Sequence, residues 1–295
     1  MSNWKRCRGL AASAAVVLAG AGLAVAFGAA PAQAGVVSAA VSAPAGTVFE
    51  SATATCPAGE YLTGGGGRIV GGGPDITMTD VIPNLATNSV TVWGHANSAA
   101  LPAFDVVAQA ICLPGAPPAN YQLVANPTGV NNVVNKAITV VCPAGTQLMG
   151  TGYQIDQGFG LAFPRWSLPN FGLTQNTVIA DASPALAGAN WGLTAYAICG
   201  TPPAAAPVLQ GQAYLGGPDP ANNKDVSAGP CAAPALTTGV GGATALGPVV
   251  AGSVFLNRLT TNVTQDTARA DAVEGIGLGA GVNWTMFAYN ICWTP

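Results

Sequence analysis

The sequence predicts an all-β protein made of three tandem antiparallel β-sandwich or barrel-like repeats. Three observations carry that prediction. A cysteine-bracketed pattern occurs three times, the closing segment of each copy alternates with period two, and glycine, proline and asparagine punctuate the chain at short intervals. Cys56-Pro57-Ala58-Gly59 leads through Leu62 to Gly64 and Gly67; Cys142-Pro143-Ala144-Gly145 leads through Leu148 to Gly150 and Gly152; Cys231-Ala232-Ala233-Pro234 leads through Leu236 to Gly239 and Gly241. The copies close at Ile111-Cys112, Ile198-Cys199 and Ile291-Cys292. Opening cysteines are 86 and 89 residues apart, a period longer than a propeller blade or a leucine-rich repeat.

Six strands per repeat follow in order. The first is expected at Val37–Ser42, Tyr121–Asn126 and Gln212–Leu215, and the second runs into the opening cysteine at Ser51–Cys56, Ala137–Cys142 and Asp225–Cys231. The third is the Leu-x-Gly-x-Gly stretch, where strand glycines mark a bulge or a close backbone approach. The fourth is expected at Ile76–Val81, Gly160–Trp166 and Val254–Leu259, the fifth at Val90–Ala96, Thr177–Ala182 and Thr267–Ala272. The sixth ends on the closing cysteine. One face of it presents Phe104, Val106, Ala108 and Ala110, or Trp191, Leu193, Ala195 and Ala197, or Trp284, Met286, Ala288 and Asn290, which reads as a core face. The other face, with Tyr196 and Ile198 or Phe287, Tyr289 and Ile291, is too apolar for open solvent, so both faces are expected to be covered. Proline-rich joints at residues 113–118 and 200–207 separate repeats at 35–115, 119–201 and 208–295. The repeats either stand in a row or pack around a pseudo-threefold axis, and the apolar second face slightly favours packing.

Residues 1–34 read as an export signal: Lys5, Arg6 and Arg8, then an apolar stretch, then Ala32-Gln33-Ala34 as a cleavage site. No later stretch is long and apolar enough to suggest a membrane-spanning helix. Loss of the signal leaves six cations against twelve acids, moving the formal charge from −3 to −6. Sparse, acidic charge argues against nucleic acid and against docking on anionic lipid. Six cysteines remain, and exported cysteines pair. The repeat selects Cys56–Cys112, Cys142–Cys199 and Cys231–Cys292, with bridges between repeats as the alternative. Each loop of roughly sixty residues would contribute about 4 kcal/mol on a chain-entropy account.

The run Cys-Pro-Ala-Gly…Gly-x-Gly…Thr-Val…Trp…Ala-Tyr-Ala-Ile-Cys resembles a module of secreted actinobacterial and other bacterial proteins of unknown function. The resemblance spans the chain beyond the signal, is closest in the second repeat and is weakest in the third, which lacks Pro-Ala-Gly after Cys231. It implies a disulfide-bracketed extracellular β module and no particular activity.

No cofactor, metal or catalytic residues are expected. His95, the only histidine, falls on the fifth strand where Asp181 and Asp271 are read as its equivalents; a catalytic triad would need Asp80 or Asp105 beside it, without the usual nucleophile elbow. Asp75, Asp80, Asp219 and Asp225 lack the spacing of a calcium loop. Trp93, Trp166, Phe171 and Tyr121 have no secure counterparts among the repeats and are the candidate ligand-binding residues, for sugar rings or a protein partner. The expected function is non-enzymatic: a secreted binding protein, associated with the cell wall or envelope, whose partner is a cell-wall glycan or a surface protein, with three similar surfaces supplying avidity. A membrane-active or pore-forming envelope protein is the alternative, and a secreted hydrolase the third reading.

Overall fold

The computed structural model describes residues 35–97, 102–202, 207–213, 223–246, 254–274 and 283–294. The expected signal at 1–34 and Asp219 lie outside the described residues. The first repeat supplies β1 (Gly35–Ala43), β2 (Phe49–Thr55), β3 (Glu60–Gly71), β4 (Ile76–Asn84), β5 (Ser89–Ala96) and β6 (Phe104–Pro114). The second supplies β7 (Gln122–Pro127), β8 (Asn135–Val141), β9 (Gln147–Asp156), β10 (Ala162–Pro169), β11 (Gln175–Ala182) and β12 (Gly192–Gly200). The third supplies β13 (Val208–Ala213), β14 (Asn223–Ser227), β15 (Leu236–Leu246), β16 (Val254–Thr261), β17 (Ala268–Glu274) and β18 (Trp284–Trp293). Helix is confined to two short 3₁₀ turns among the described residues.

Most strand boundaries fall within about three residues of expectation; the start of β13 and the end of β14 move further, for local reasons. β13 starts earlier, at Val208, because each first strand begins opposite its closing cysteine: Gly35 and Val208 face Cys112 and Cys292, as Gln122 faces Cys199. β14 stops at Ser227, four residues before Cys231, where Gly229-Pro230 removes a ladder donor.

The three repeats are sandwich-like, as expected, and they are packed together: each shares its sheets with its neighbours. Three six-stranded antiparallel sheets form, in the orders β1-β6-β3-β16-β17-β14, β13-β18-β15-β10-β11-β8 and β2-β5-β4-β9-β12-β7. Each sheet joins the first, sixth and third strands of one repeat to the fourth, fifth and second of another. The sharing is cyclic, so the described strands close on themselves with pseudo-threefold symmetry. The seams are short: Arg258 and Leu259 face Arg68 and Gly67, Trp166 and Ser167 face Ala243 and Gly242, and Val81 faces Tyr153.

Glycine makes the seams possible. Each third strand carries a bulge, at Thr63, Met149 or Thr238, just before Gly64, Gly150 or Gly239. The bulge turns its carbonyl towards the next repeat's glycine. A Cβ on Gly64, Gly150 or Gly239 would lie 2.5 Å or closer to the carbonyl oxygen of Thr238, Thr63 or Met149 respectively. It would also come within 3.0 Å of the Cα of Gly239, Gly64 or Gly150. Three backbones therefore touch in a ring about the axis. Two residues on, Gly66, Gly152 and Gly241 do the same against the carbonyls of Leu259, Val81 and Ser167 on the neighbouring fourth strands.

The sixth strands line the interior as expected. Phe104, Trp191 and Trp284 are 2%, 1% and 0% exposed. Lys224 lies over the Trp284 ring at 4.4 Å, and Lys136 over Trp191 at 5.0 Å, each also donating to oxygens around it. The reverse face is covered only towards the cysteine end, where Ile111, Ile198 and Ile291 are buried; Tyr196, Phe287 and Tyr289 are partly exposed on the outer sheet surfaces.

The three cystines pair as the repeat implies, and each joins two sheets. Cys56–Cys112 links the third sheet to the first, Cys142–Cys199 the second to the third, and Cys231–Cys292 the first to the second. Every pair of sheets is stapled once.

Gly150→Ala should lower the unfolding free energy by about 3 kcal/mol or more, since backbone rather than a flexible side chain must move. Gly229→Ala, with open space around its new methyl, should change it by no more than about 0.5 kcal/mol. Urea unfolding followed by tryptophan fluorescence measures both; equal midpoints would refute the contact between third strands.

Candidate functional site

The strongest cluster of exposed aromatic chemistry is on the outer face of the third sheet. On β5, Thr91, Trp93 and His95 point the same way because strand side chains repeat every second residue. On β2, Phe49 faces His95, Ser51 faces Trp93 and Thr53 faces Thr91 in register. Phe49 is 58% exposed, and its ring centre is 6.1 Å from Trp93 and 6.0 Å from His95. Trp93 and His95 are 6.2 Å apart with planes inclined by 26°. Together they form a three-ring platform.

Polar groups border it. β4 bulges at Thr79, between Met78 and Asp80, and this brings Thr79 and Asp80 beside His95 and Trp93. The Thr79 hydroxyl donates to Asp80 Oδ2 at 2.7 Å and lies 2.7 Å from His95 Nδ1. With Asp80 ionised, that hydroxyl proton is committed, so His95 Nδ1 carries the ring proton and Nε2 is the free acceptor. Ile155 N–H, across the seam on β9, donates to Asp80 Oδ1 at 2.8 Å. The row continues into the second repeat: Tyr196 O–H donates to Gln154 at 2.6 Å, and Gln154 Nε2 to Asp156 at 2.9 Å. Rings and polar groups thus form one surface shared by two repeats.

Burial sets the ionisation here. Asp80, 4% exposed, has its carboxyl pushed up to about 6, chiefly by desolvation; the Thr79 and Ile155 hydrogen bonds oppose the rise and the Asp156 charge adds to it. Desolvation pushes the His95 imidazole below its usual value, favouring the neutral ring. The Tyr196 phenol is raised by burial and then by the charges of Asp156 and Asp80.

The four sequence-derived ligand candidates do not converge. Trp93 is in the platform. Trp166 lies on the second sheet, half-buried, with its indole N–H donating to Thr244 O at 2.7 Å. Tyr121 precedes β7, its hydroxyl donating to Leu62 O and its ring set edge-on to Tyr61 at 5.7 Å, so it joins the first repeat to the second. Phe171, 91% exposed, stands in the turn between β10 and β11. His95 communicates with Asp80 through Thr79; Asp105 is hydrogen-bonded by Ser42 on the first sheet. Asp75 and Asp225 are engaged separately, by Asn97 and Arg269.

Strand pairing also corrects one equivalence. Asp181 faces Phe163 as His95 faces Thr77, but Asp271 faces Arg258 and so corresponds to Trp93. The three outer faces consequently differ. Where the third sheet has Asp80 and Trp93, the second has Trp166 and Ile179, and the first Arg258 and Asp271. They are not three copies of one surface. Nothing in the sequence marks Phe49, Thr79, Gln154 and Tyr196 as neighbours; the one local signal is the period-two spacing of Trp93 and His95.

Comparison with known proteins finds no family model matching this chain and no curated protein significantly similar to it.

The Asp80 carboxyl gives a pH test. Its native value lies above the usual 3.8, so the native state holds a proton that the unfolded chain releases between those values. Stability from this group is present below about pH 4 and declines as pH rises towards 6, by roughly 2–3 kcal/mol. Subtracting Asp80→Asn unfolding free energies from wild-type values across pH 3.5–7 should expose that slope. A flat difference would show that Asp80 ionises without penalty.

Proposed function

We propose that the chain is an extracellular binding protein whose third sheet takes a neutral glycan of the cell envelope. The observation that carries this reading is the Phe49–Trp93–His95 platform. Sugar rings present axial C–H groups that stack on exposed aromatic faces, and the flanking Asp156, Gln154 and Tyr196 supply acceptors and donors for ring hydroxyls. Export is supported by three cystines, which form and persist in oxidising compartments. Attachment to the wall follows from the ligand. Because the outer faces differ, one chain offers one such platform, and the expected affinity is that of a single site rather than of three combined.

Trp93→Ala should reduce retention on insoluble wall polysaccharide, or on a neutral glycan array, at least tenfold, about 1.4 kcal/mol. Phe49→Ala should weaken it less, and Trp166→Ala should leave it unchanged. Undiminished retention by Trp93→Ala would end this assignment.

One observation favours a second reading, contact with lipid. Phe171 and Val263, at matching turns between fourth and fifth strands, are 91% and 84% exposed. Apolar tips of this kind insert into a bilayer interface. Flotation with neutral lipid vesicles, lost on Phe171→Ser, would support it; protein left wholly in the aqueous fraction would dismiss it.

A further inference from the structure

The outer face of the first sheet carries a row of charge in a chain with only 7% charged residues. Registered neighbours across it are Arg68 on β3, Arg258 on β16, Asp271 on β17 and Asp225 on β14. Arg258 Nη1 reaches Asp271 Oδ2 at 2.7 Å. Arg269 grips Asp225 through Nε at 2.9 Å and through Nη2, and approaches Asp271 at 3.4 Å. Both carboxylates are therefore occupied by Arg258 and Arg269.

Arg68 is the remaining guanidinium. It is partly exposed and forms no hydrogen bond or ion pair among the described residues. It stands directly opposite Arg258 across the seam. Like charges facing each other on neighbouring strands are destabilising, and the carboxylate that feels the Arg68 charge, Asp271, is already paired with Arg258 and Arg269. Next to it is an open cavity of about 350 Å³, lined by Arg68, Arg258, Arg269, Ser227, Thr260 and Asn262. That volume is at the lower end for small-ligand sites and takes one sugar ring. The Ser227 and Thr260 hydroxyls make no side-chain hydrogen bonds among the described residues.

We propose that this cavity binds an acidic sugar residue of an extracellular polysaccharide, its oxyanion held by Arg68 and Arg258. A guanidinium fork matches a carboxylate or a sulfate with two parallel hydrogen bonds, which an ammonium does not. Ser227 and Thr260 offer partners to ring hydroxyls beside the acid group, while the Asn262 amide is held by Asp266 and Thr267 and shapes the wall. The chain's net charge is negative, so a polyanion is not drawn to it at long range and capture is local to this cavity. The site is on a different sheet from the aromatic platform and does not depend on it.

Calorimetric titration with a galacturonic acid oligosaccharide, a sulfated galactose oligosaccharide and an uncharged galactose oligosaccharide tests this. At least one acidic oligosaccharide should bind, more weakly as NaCl is raised. Arg68→Gln should cut that affinity at least tenfold, Arg68→Lys less, and Trp93→Ala not at all. The melting temperature of Arg68→Gln should stay within about 4 °C of wild type, because relief of the like-charge pair with Arg258 offsets the lost attraction to Asp271. The proposal is overturned if neither acidic oligosaccharide binds, if Arg68→Gln binds them undiminished, if anionic lipid vesicles bind in their place, or if Arg68→Gln melts more than about 4 °C lower, which would make Arg68 a structural residue.

Discussion

Everything in this fold depends on three backbones meeting where no side chain fits. Gly64, Gly150 and Gly239 each abut the bulged carbonyl of the next repeat, and the contact runs in one direction around the axis. A methyl group on any one of them would push a third strand outwards. The seam beside it, only one or two registered residues long, has no slack to absorb that shift. Close packing punishes displacement sharply, because dispersion contacts are lost within a fraction of an ångström.

Interlocking makes the repeats interdependent. A strand triplet from one repeat completes its sheet only with a triplet from another, so no repeat owns a whole sheet. The cystines reinforce this in a specific way. Each closes a loop within one repeat but ties two different sheets, so the covalent links and the hydrogen-bonded seams cross-brace each other. A 29.1 kDa chain with little charge and few large aromatics thereby obtains a continuous core: Phe104, Trp191 and Trp284 fill equivalent interior positions beneath three different sheets.

Because the inner faces and the glycine ring satisfy the fold, the outer faces are released from it. That release explains why the same strand positions hold Trp93 and Asp80 on one sheet, Ile179 and Trp166 on another, and Asp271 and Arg258 on the last. The aromatic platform and the arginine-lined cavity are the two chemically distinct outcomes. Both lie at a seam and draw residues from two repeats, the first and second in one case and the first and third in the other.

The repeat period, the strand alternation and the bracketing cysteines were legible because each obeys a local rule: copies share spacing, strands alternate, exported cysteines pair. The glycines of the third strand also announced a close approach. By itself, then, the sequence determined an all-β chain with threefold internal repetition, its disulfide partners and the aromatic anchors of its core. Which surface residues become neighbours was decided only in three dimensions. Phe49 and Trp93 are 44 positions apart yet sit on adjacent strands, Asp80 is capped by Ile155 from another repeat, and Arg68 meets Arg258 across 190 positions. Strand exchange between repeats is set by the fit of backbones around an axis, a property of the assembled sheets that no local pattern encodes. Trp166 and Tyr121 looked free in the sequence for the same reason: their partners, Thr244 O and Leu62 O, belong to other repeats.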